Sequence, residues 1–427
     1  RLDRAARSLP KGFSMKRNLG LKLILALACL LPAGAALAQV SLDVWIYDSF
    51  AGDDAAIYET AEQFMQENPD VIVNLIPTQY GSSSYRDKFI IAAQARSGPD
   101  VLMTDIAWSP EFAAMGIVLP VDEYLGDGGD QFFPGPMQTL TLDGSVYGLP
   151  YYTNALAMFY NRTAFEEAGL PVPEEGWTWD DFHTAVDTLS DGQMYGFGLQ
   201  AGWGGTFEWY PWVWQNGGDF LSADQSAPEF NSPDALEATK FYLDIVTNPS
   251  YVPEAAKTWK GWDELGAAFA NEVIAMYEVG DWGLSIVEGL DPDFEWGVVP
   301  LPMNEQKASL VGGANWMINA ATRNPDAAYR WLEFVTGPAV FESMDSYNRL
   351  AARRGAAEEQ AIVRDDPRMQ AFVASLEYAR PRPALPTWTT IDYDCLQPAF
   401  LRVILEDADI ESSMAEAEQC AAAILNE

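Results

Sequence analysis

The sequence predicts an α/β protein of two lobes, each a mainly parallel sheet flanked by helices. Three observations lead there. The N-terminal part alternates strand and helix. The chain has 427 residues, of which 48% are hydrophobic and 13% aromatic, enough to build two full cores. No internal repeat, heptad pattern or low-complexity linker interrupts it, which favours lobes joined by short crossovers at a hinge over a flexible tether.

The elements follow in order. Leu42–Tyr47 alternates and is rich in β-branched and aromatic residues, as a strand should be. Helical spacing through Ile57, Ala61, Phe64 and Met65 predicts a helix over Ala55–Asn68, stopped by Pro69. Val71–Ile76 reads as a second strand, Tyr85–Ala95 as a helix, and Val101–Thr104 as a short buried strand. Strand–helix–strand–helix–strand implies a parallel sheet whose strand C-termini border a ligand crevice. Later, Thr178-Trp179-Asp180-Asp181 resembles a capping box opening a helix to about Leu189. Ser232-Pro233 starts a helix over Asp234–Val246, Asn324-Pro325 one that ends at Gly337, and Asp409–Leu425 is the terminal helix. Crossovers are expected near Gly148–Tyr152, Leu310–Gly313 and Asn348–Ala352. They give one lobe of 39–150 plus 313–347 and another of 151–312 plus 348–427.

Met15–Ala38 reads as an export leader. Lys16, Arg17 and Lys22 form a positive start, Leu21–Leu31 an apolar run, and Ala36-Leu37-Ala38 a small-residue cleavage pattern, so the mature chain is expected to begin at Gln39. The run is short for a membrane span. A lipid anchor on Cys29 has a poorer local match in Ala26-Leu27-Ala28. Residues 1–14 look like an over-extended start. An exported chain of this kind belongs in the periplasm.

Removing residues 1–38, which hold seven Lys/Arg and one Asp, takes the net charge from −37 to −43. So negative a surface argues against nucleic acids and anionic membranes as partners. The acids are spread along the chain, as solubility would require. Cys395 and Cys420 remain as an even pair in an oxidising compartment and are expected to bond. The bond would contribute on the order of 3 kcal/mol.

The segment Trp203–Phe220 holds seven aromatics in 18 residues. Aromatic faces with polar tips complement a sugar ring's C–H patches and hydroxyl rim, although most of these rings should serve packing. Asp105 and Trp108 end a predicted strand, Tyr151, Tyr152 and Asn154 follow Pro150, and Glu278, Asp281 and Trp282 follow an apolar run. Asn315 and Trp316 follow a glycine pair, and Trp388 follows Pro383–Pro386. Together they put carboxylates, amides and aromatics at successive loop ends. The mature chain carries no HExxH, GxSxG, P-loop or Rossmann glycine pattern. Its single histidine, His183, makes a catalytic triad or a histidine-based metal site improbable and reads as structural. Asp122–Asp130 reads as a Gly/Asp turn without the spacing of an EF-hand loop. Neither metal nor cofactor is expected. A carboxylate pair for glycoside hydrolysis remains an alternative.

Over most of its mature length the chain resembles the bacterial extracellular solute-binding proteins of family 1, the sugar-binding components of ABC importers, and is most similar in feel to maltose, trehalose and α-glucoside binders. The resemblance rests on Trp45, on Pro99-Asp100-Val101 leading to Asp105 and Trp108, and on Tyr147-Gly148-Leu149-Pro150-Tyr151. It continues through Tyr160-Asn161, Trp177–Phe182, Trp214–Gly218, Gly280-Asp281-Trp282, Leu301-Pro302 and Gly312-Gly313. It implies a type II periplasmic-binding-protein fold with sugar held in the interlobe cleft, and delivery by a monomer to permease subunits in the inner membrane. The implied site residues are Asp105, Trp108, Tyr151, Tyr152, Trp212, Gln215, Asp281, Trp282, Asn315, Trp316, Arg353 and Trp388. A secreted glycoside hydrolase, or a binder of a polyol or glycerol phosphodiester, is the competing expectation. Asp105 and Trp282, each behind an apolar segment in a different half of the chain, are expected to face the cleft from opposite lobes.

Overall fold

The structure, a computed structural model, describes residues 39–48, 56–79, 82–201, 205–338, 344–345 and 349–426, with backbone alone at 82–84 and 358. The expected leader, Cys29 and Trp203 lie outside the described residues.

Twelve strands are described: β1 Val40–Tyr47, β2 Val71–Thr78, β3 Val101–Asp105, β4 Thr141–Leu142, β5 Ser145–Val146, β6 Leu149–Ala155, β7 Ala157–Asn161, β8 Met276–Val279, β9 Trp296–Pro300, β10 Ser309–Ile318, β11 Leu350–Ala351 and β12 Ala379–Arg380. β4 and β5 form a small hairpin. The first main sheet runs β11-β6-β10-β3-β1-β2, with β12 paired to β10. β1 lies parallel to β2 and β3, joined through the helices Ala56–Glu67 and Ser82–Gln94, as the alternating pattern required. Ile57, Ala61 and Phe64 bury one stripe of the first helix, and Phe64 meets Trp331 edge to face at 5.3 Å.

The second sheet, β8-β7-β9, is antiparallel throughout its named strands, and β10 is antiparallel to both β3 and β6. The first sheet is therefore mixed and the second antiparallel, where mainly parallel ones were expected. In the first, β10 enters between β3 and β6 beside the end of β3, Ala314 opposite Asp105, and so runs against both. Only Leu156 separates β6 from β7, which belong to different sheets. Leu156 is also where the chain leaves the first sheet for the second. There its backbone pairs with a side chain: Leu156 N donates to Ser309 Oγ at 2.9 Å, and Ser309 Oγ donates to Leu156 O at 2.8 Å.

One hydrophobic cluster centres on β1, β3, Trp316 and Trp331. A second gathers Trp209, Trp212, Trp214, Phe220 and Trp388, and a third packs around Phe159, Tyr277 and Phe372. The helix Trp179–Leu189 starts at the expected capping box, with Asp181 N donating to Thr178 Oγ1 at 3.2 Å and Thr178 N to Asp181 Oδ2 at 2.8 Å. The Thr178 hydroxyl, which donates to Asp181 Oδ2 at 2.7 Å, and then the Thr178 N–H hold the Asp181 carboxyl below the usual carboxylate range. Cys395 and Cys420 are bonded, with Cα atoms 5.7 Å apart, tying the terminal helix Ile410–Leu425 to the segment Asp392–Leu396. The Asp122–Asp130 stretch coils as a short helix, Asp122–Leu125, followed by a 3-10 turn. No helix among the described residues is long and apolar enough to cross a membrane.

Candidate functional site

A cavity of about 310 Å³ opens where the two sheets approach each other. On the side of the first sheet it is lined by Tyr47 at the end of β1, Asp105 and Trp108 at and beyond the end of β3, Tyr152 and Asn154 on β6, and Gly312 and Gly313 on β10. Tyr47 and Asp105 are strand C-termini, where an α/β crevice forms, and the antiparallel β10 brings its N-terminal half to the same edge. Facing them are Thr206, Phe207, Trp262 and Trp282. Arg349, Arg382, Asp392, Tyr393 and Gln397 complete the lining from the C-terminal part of the chain.

The glycines on β10 have a packing reason. A Cβ on Gly312 would lie 2.2 Å from Asn154 Oδ1, and one on Gly313, where φ is 133°, would lie 2.2 Å from Tyr152 O. Only glycine lets β10 pass this close to the cleft-lining face of β6.

Rings stand on both walls. Trp108 stacks on Tyr85 at 6.0 Å, and Tyr85 in turn meets Tyr47 edge-on at 5.3 Å. Opposite, Trp282 lies 5.3 Å from Trp262 and 6.3 Å from Phe207. Charges are matched. Asp105 Oδ1 accepts from Ala107 N at 2.8 Å and from Arg382 Nη2 at 3.2 Å, and the Arg382 guanidinium lies over the Phe207 ring at 5.6 Å. Arg349 approaches Asp281 at 3.5 Å and lies over the Tyr152 ring at 5.6 Å. Burial raises the Asp281 carboxyl to about 6, an effect that Arg349 and backbone N–H groups oppose. Asp392 accepts from Thr206 Oγ1 at 3.0 Å and Gln397 Nε2 at 3.3 Å; burial raises its pKa, and Arg382 opposes the rise. Thr389 Oγ1 donates to Ala107 O at 3.1 Å, a second tie between the C-terminal part of the chain and the loop after β3. Three polar atoms of the lining, Asn154 Oδ1, Trp282 Nε1 and Arg382 Nε, are buried without a hydrogen-bond partner among the described residues.

Of the residues expected at the site, Asp105, Trp108, Tyr152 and Trp282 line the cavity together, Asp105 at the end of β3 and Trp282 at the start of the helix Trp282–Leu290. Asp281 sits one layer back, fully buried behind Arg349. The others are placed elsewhere. Tyr151 packs on Trp316 at 5.3 Å inside the first core. Trp212 is buried among Trp179, Phe182 and Tyr242, and its Nε1 donates to Glu278 Oε2 at 2.9 Å. Gln215 accepts from Trp179 Nε1 at 2.7 Å and donates to Ala308 O at 3.2 Å. Asn315 donates to Ser109 Oγ at 2.9 Å and Thr139 Oγ1 at 3.0 Å, fastening two helices to β10. Trp388 Nε1 donates to Tyr210 OH at 3.0 Å in the second core. Arg353 lies over Phe132 and bonds Gln131, while Arg349, four positions earlier, reaches the cleft.

Sequence reasoning missed Tyr47, Phe207, Trp262, Arg349, Arg382, Asp392, Tyr393 and Gln397. Trp262 had a faint signal, a tryptophan directly after Gly261 at a helix start, and Arg382 stands between two prolines. His183 is exposed on its helix, edge-on to Tyr251 at 5.9 Å.

One mixed and one antiparallel sheet with their helices, and a crevice lined by the first sheet and by helices that follow or pack on the second, define the class of two-lobed, type II periplasmic solute receptors. The chain belongs to the bacterial extracellular solute-binding protein family, whose sequence pattern it matches over residues 47–340. It is 25% identical over 405 residues to a putative binding protein of Brucella abortus, covering 92% of this chain and 95% of that protein. A solved ABC transporter solute-binding protein of Thermotoga lettingae, bound with α-D-tagatose, superposes with a TM-score of 0.79 at 27% identity, covering 91% of this chain and all of the other. A Listeria monocytogenes ABC substrate-binding protein in complex with cycloalternan shares the fold, with a TM-score of 0.80 at 21% identity, covering 91% of this chain and 99% of the other. The family is one of solute-binding proteins.

Proposed function

We propose that the protein captures a small neutral sugar, a mono- or disaccharide, in the interlobe cleft and delivers it, without chemical change, to the permease subunits of an ABC importer. The observation that carries this reading is the pairing of two aromatic walls with buried, unpaired polar atoms. Rings on both sides suit the C–H faces of a pyranose or furanose. Asn154 Oδ1 can accept from a hydroxyl, while Trp282 Nε1 and Arg382 Nε can donate to one. Leaving such groups unpaired is costly, so a polyhydroxylated solute gains by satisfying them. A cavity of about 310 Å³ lies at the small end of the usual range for ligand sites, about 300–1,000 Å³. The α-D-tagatose seen with the Thermotoga lettingae relative is a sugar of that size class.

In this reading the protein acts as a monomer in the periplasm, after loss of its leader, and binds by hinge closure. The open form admits the solute, contacts from both walls favour the closed form, and that form docks on the permease. The crossing at Leu156, between β6 and β7, and the stretch between Pro300 and Ser309, are the lobe connections. A Kd near a micromolar would correspond to about −8 kcal/mol.

The test is a thermal-shift screen of Gln39–Glu427 against mono- and disaccharides, polyols and sugar phosphates, followed by chromatography of the added solute. A neutral sugar at about 100 times its Kd should add about 2.7 kcal/mol of stability and be recovered unchanged. A consumed sugar would identify a hydrolase instead. Silence from every neutral sugar would sink the carbohydrate reading.

A further inference from the structure

The cleft contains two arginines and no lysine in its lining, a combination that would ordinarily attract anions. Neither guanidinium is offered to a ligand as a bare charge. Arg382, its side chain 15% exposed, donates to Asp105 at 3.2 Å and has the buried Asp392 within electrostatic reach on another side. Arg349 has the fully buried Asp281 at 3.5 Å. Three carboxylates therefore stand against two cations.

We infer that Asp105 and Asp392 are specificity-determining residues that mask Arg382 and close the cleft to anionic solutes, so that sugar phosphates are refused while uncharged sugars are accepted. This rests on the sugar-binding reading above and deepens it. A phosphate aimed at Arg382 must displace Asp105 from the guanidinium and then stand beside two carboxylates, both partly or wholly out of water, where like charges repel strongly. A hydroxyl meets no such opposition. It can donate to a carboxylate oxygen and accept from Arg382 Nε, which has no partner among the described residues. Selectivity against charge is thus achieved by a repulsive element rather than by an added attraction. The unmasked site would be an anion site, with the guanidinium already positioned over Phe207.

The experiment compares the wild-type mature chain with Asp105→Asn and Asp392→Asn in titrations with inorganic phosphate and α-D-glucose 1-phosphate, at low and moderate salt. The wild type should give no saturable response at millimolar phosphate. Each variant should gain affinity for phosphate by roughly tenfold or more, with the gain falling as salt rises. The double variant Asp105→Asn/Arg382→Gln should lose that gain. Saturable phosphate binding by the wild type overturns the inference, as does a folded Asp105→Asn or Asp392→Asn variant that binds no better, or a gain that survives Arg382→Gln. The two substitutions unmask the same guanidinium, so loss of folding in one leaves the other decisive, and the wild-type titration tests the masking by itself. Inorganic phosphate needs no sugar contact. Failure of the sugar reading would appear separately, as silence from every neutral sugar in the screen.

Discussion

Trp212 and Trp282 both belong to short helices across the cavity from the first sheet, yet they are used in opposite ways. Trp212 is fully buried, ringed by Trp179, Phe182 and Tyr242, with its indole N–H fixed on Glu278. Among the described residues, Trp282 has the rings of Trp262 and Phe207 beside it, borders the cavity, and keeps its indole N–H without a partner. The first ring is enclosed by other rings of the core. The second has a face left over. Residue type does not separate them, because both are tryptophans within the first three positions of a short helix. What separates them is whether the sheet end beside each is covered by protein or left open.

The comparison can be broken most forcefully at Trp212. Trp212→Ala should destabilise the ligand-free protein by about 3–5 kcal/mol, because it leaves a cavity and strips Glu278 of its donor. Chemical denaturation measures this, and a loss below about 1 kcal/mol would erase the distinction drawn here.

Beneath Trp212 lies a second test. Glu208 and Glu278 are both buried, with no ion pair among the described residues, and burial raises Glu208 to about 7 and pushes Glu278 well above the usual carboxylate range. The folded value of Glu208 lies above its ordinary 4.5, so the stability provided by the neutral form is complete below pH 4.5 and is lost as the pH rises through about 7. Glu208→Gln removes this titration. The variant should gain on the wild type by about 3 kcal/mol between pH 4.5 and pH 8, read as the difference of two denaturation series. Parallel pH profiles would show that Glu208 stays solvated.

The smallest effect belongs to Trp282 and falls on binding. Trp282→Ala should weaken the sugar found in the screen by about 2 kcal/mol, roughly thirtyfold, while the midpoint of the ligand-free protein moves by only a few degrees. If affinity held and stability fell instead, Trp282 would be a core residue like Trp212.

How far the sequence was legible follows from the range over which each feature is decided. β1, β2 and β3 and the helices between them are local, and hydrophobic period alone places them. The capping box at Thr178 and the pairing of Cys395 with Cys420 were readable for the same reason: few alternatives competed. Asp105, Trp108, Tyr152 and Trp282 were found because a strand that ends beside a polar or aromatic residue is a short-range signal. Arg382 was not, because its partner Asp105 is 277 residues away and nothing in Pro-Arg-Pro announces a carboxylate across a cleft. Tyr151 and Tyr152 show the limit at its sharpest. Adjacent residues on a strand point to opposite faces, so one lines the cavity and the other joins the core, and the sequence does not say which face is open. The strand directions of the second sheet were beyond reach because β7 pairs with β8 and β9, more than 100 residues further along the chain.

The place of β10 in the first sheet bears on how the protein can be made. It lies between β6 and β3, so those two strands have no contact in the ladder until residues 309–318 arrive. A ribosome must therefore release about three quarters of the polypeptide before the central strand of the N-terminal sheet exists, and the whole of β7, β8 and β9 is synthesised in the interval. Pairings of such long sequence separation form slowly. A newly made chain thus stays open for most of its synthesis.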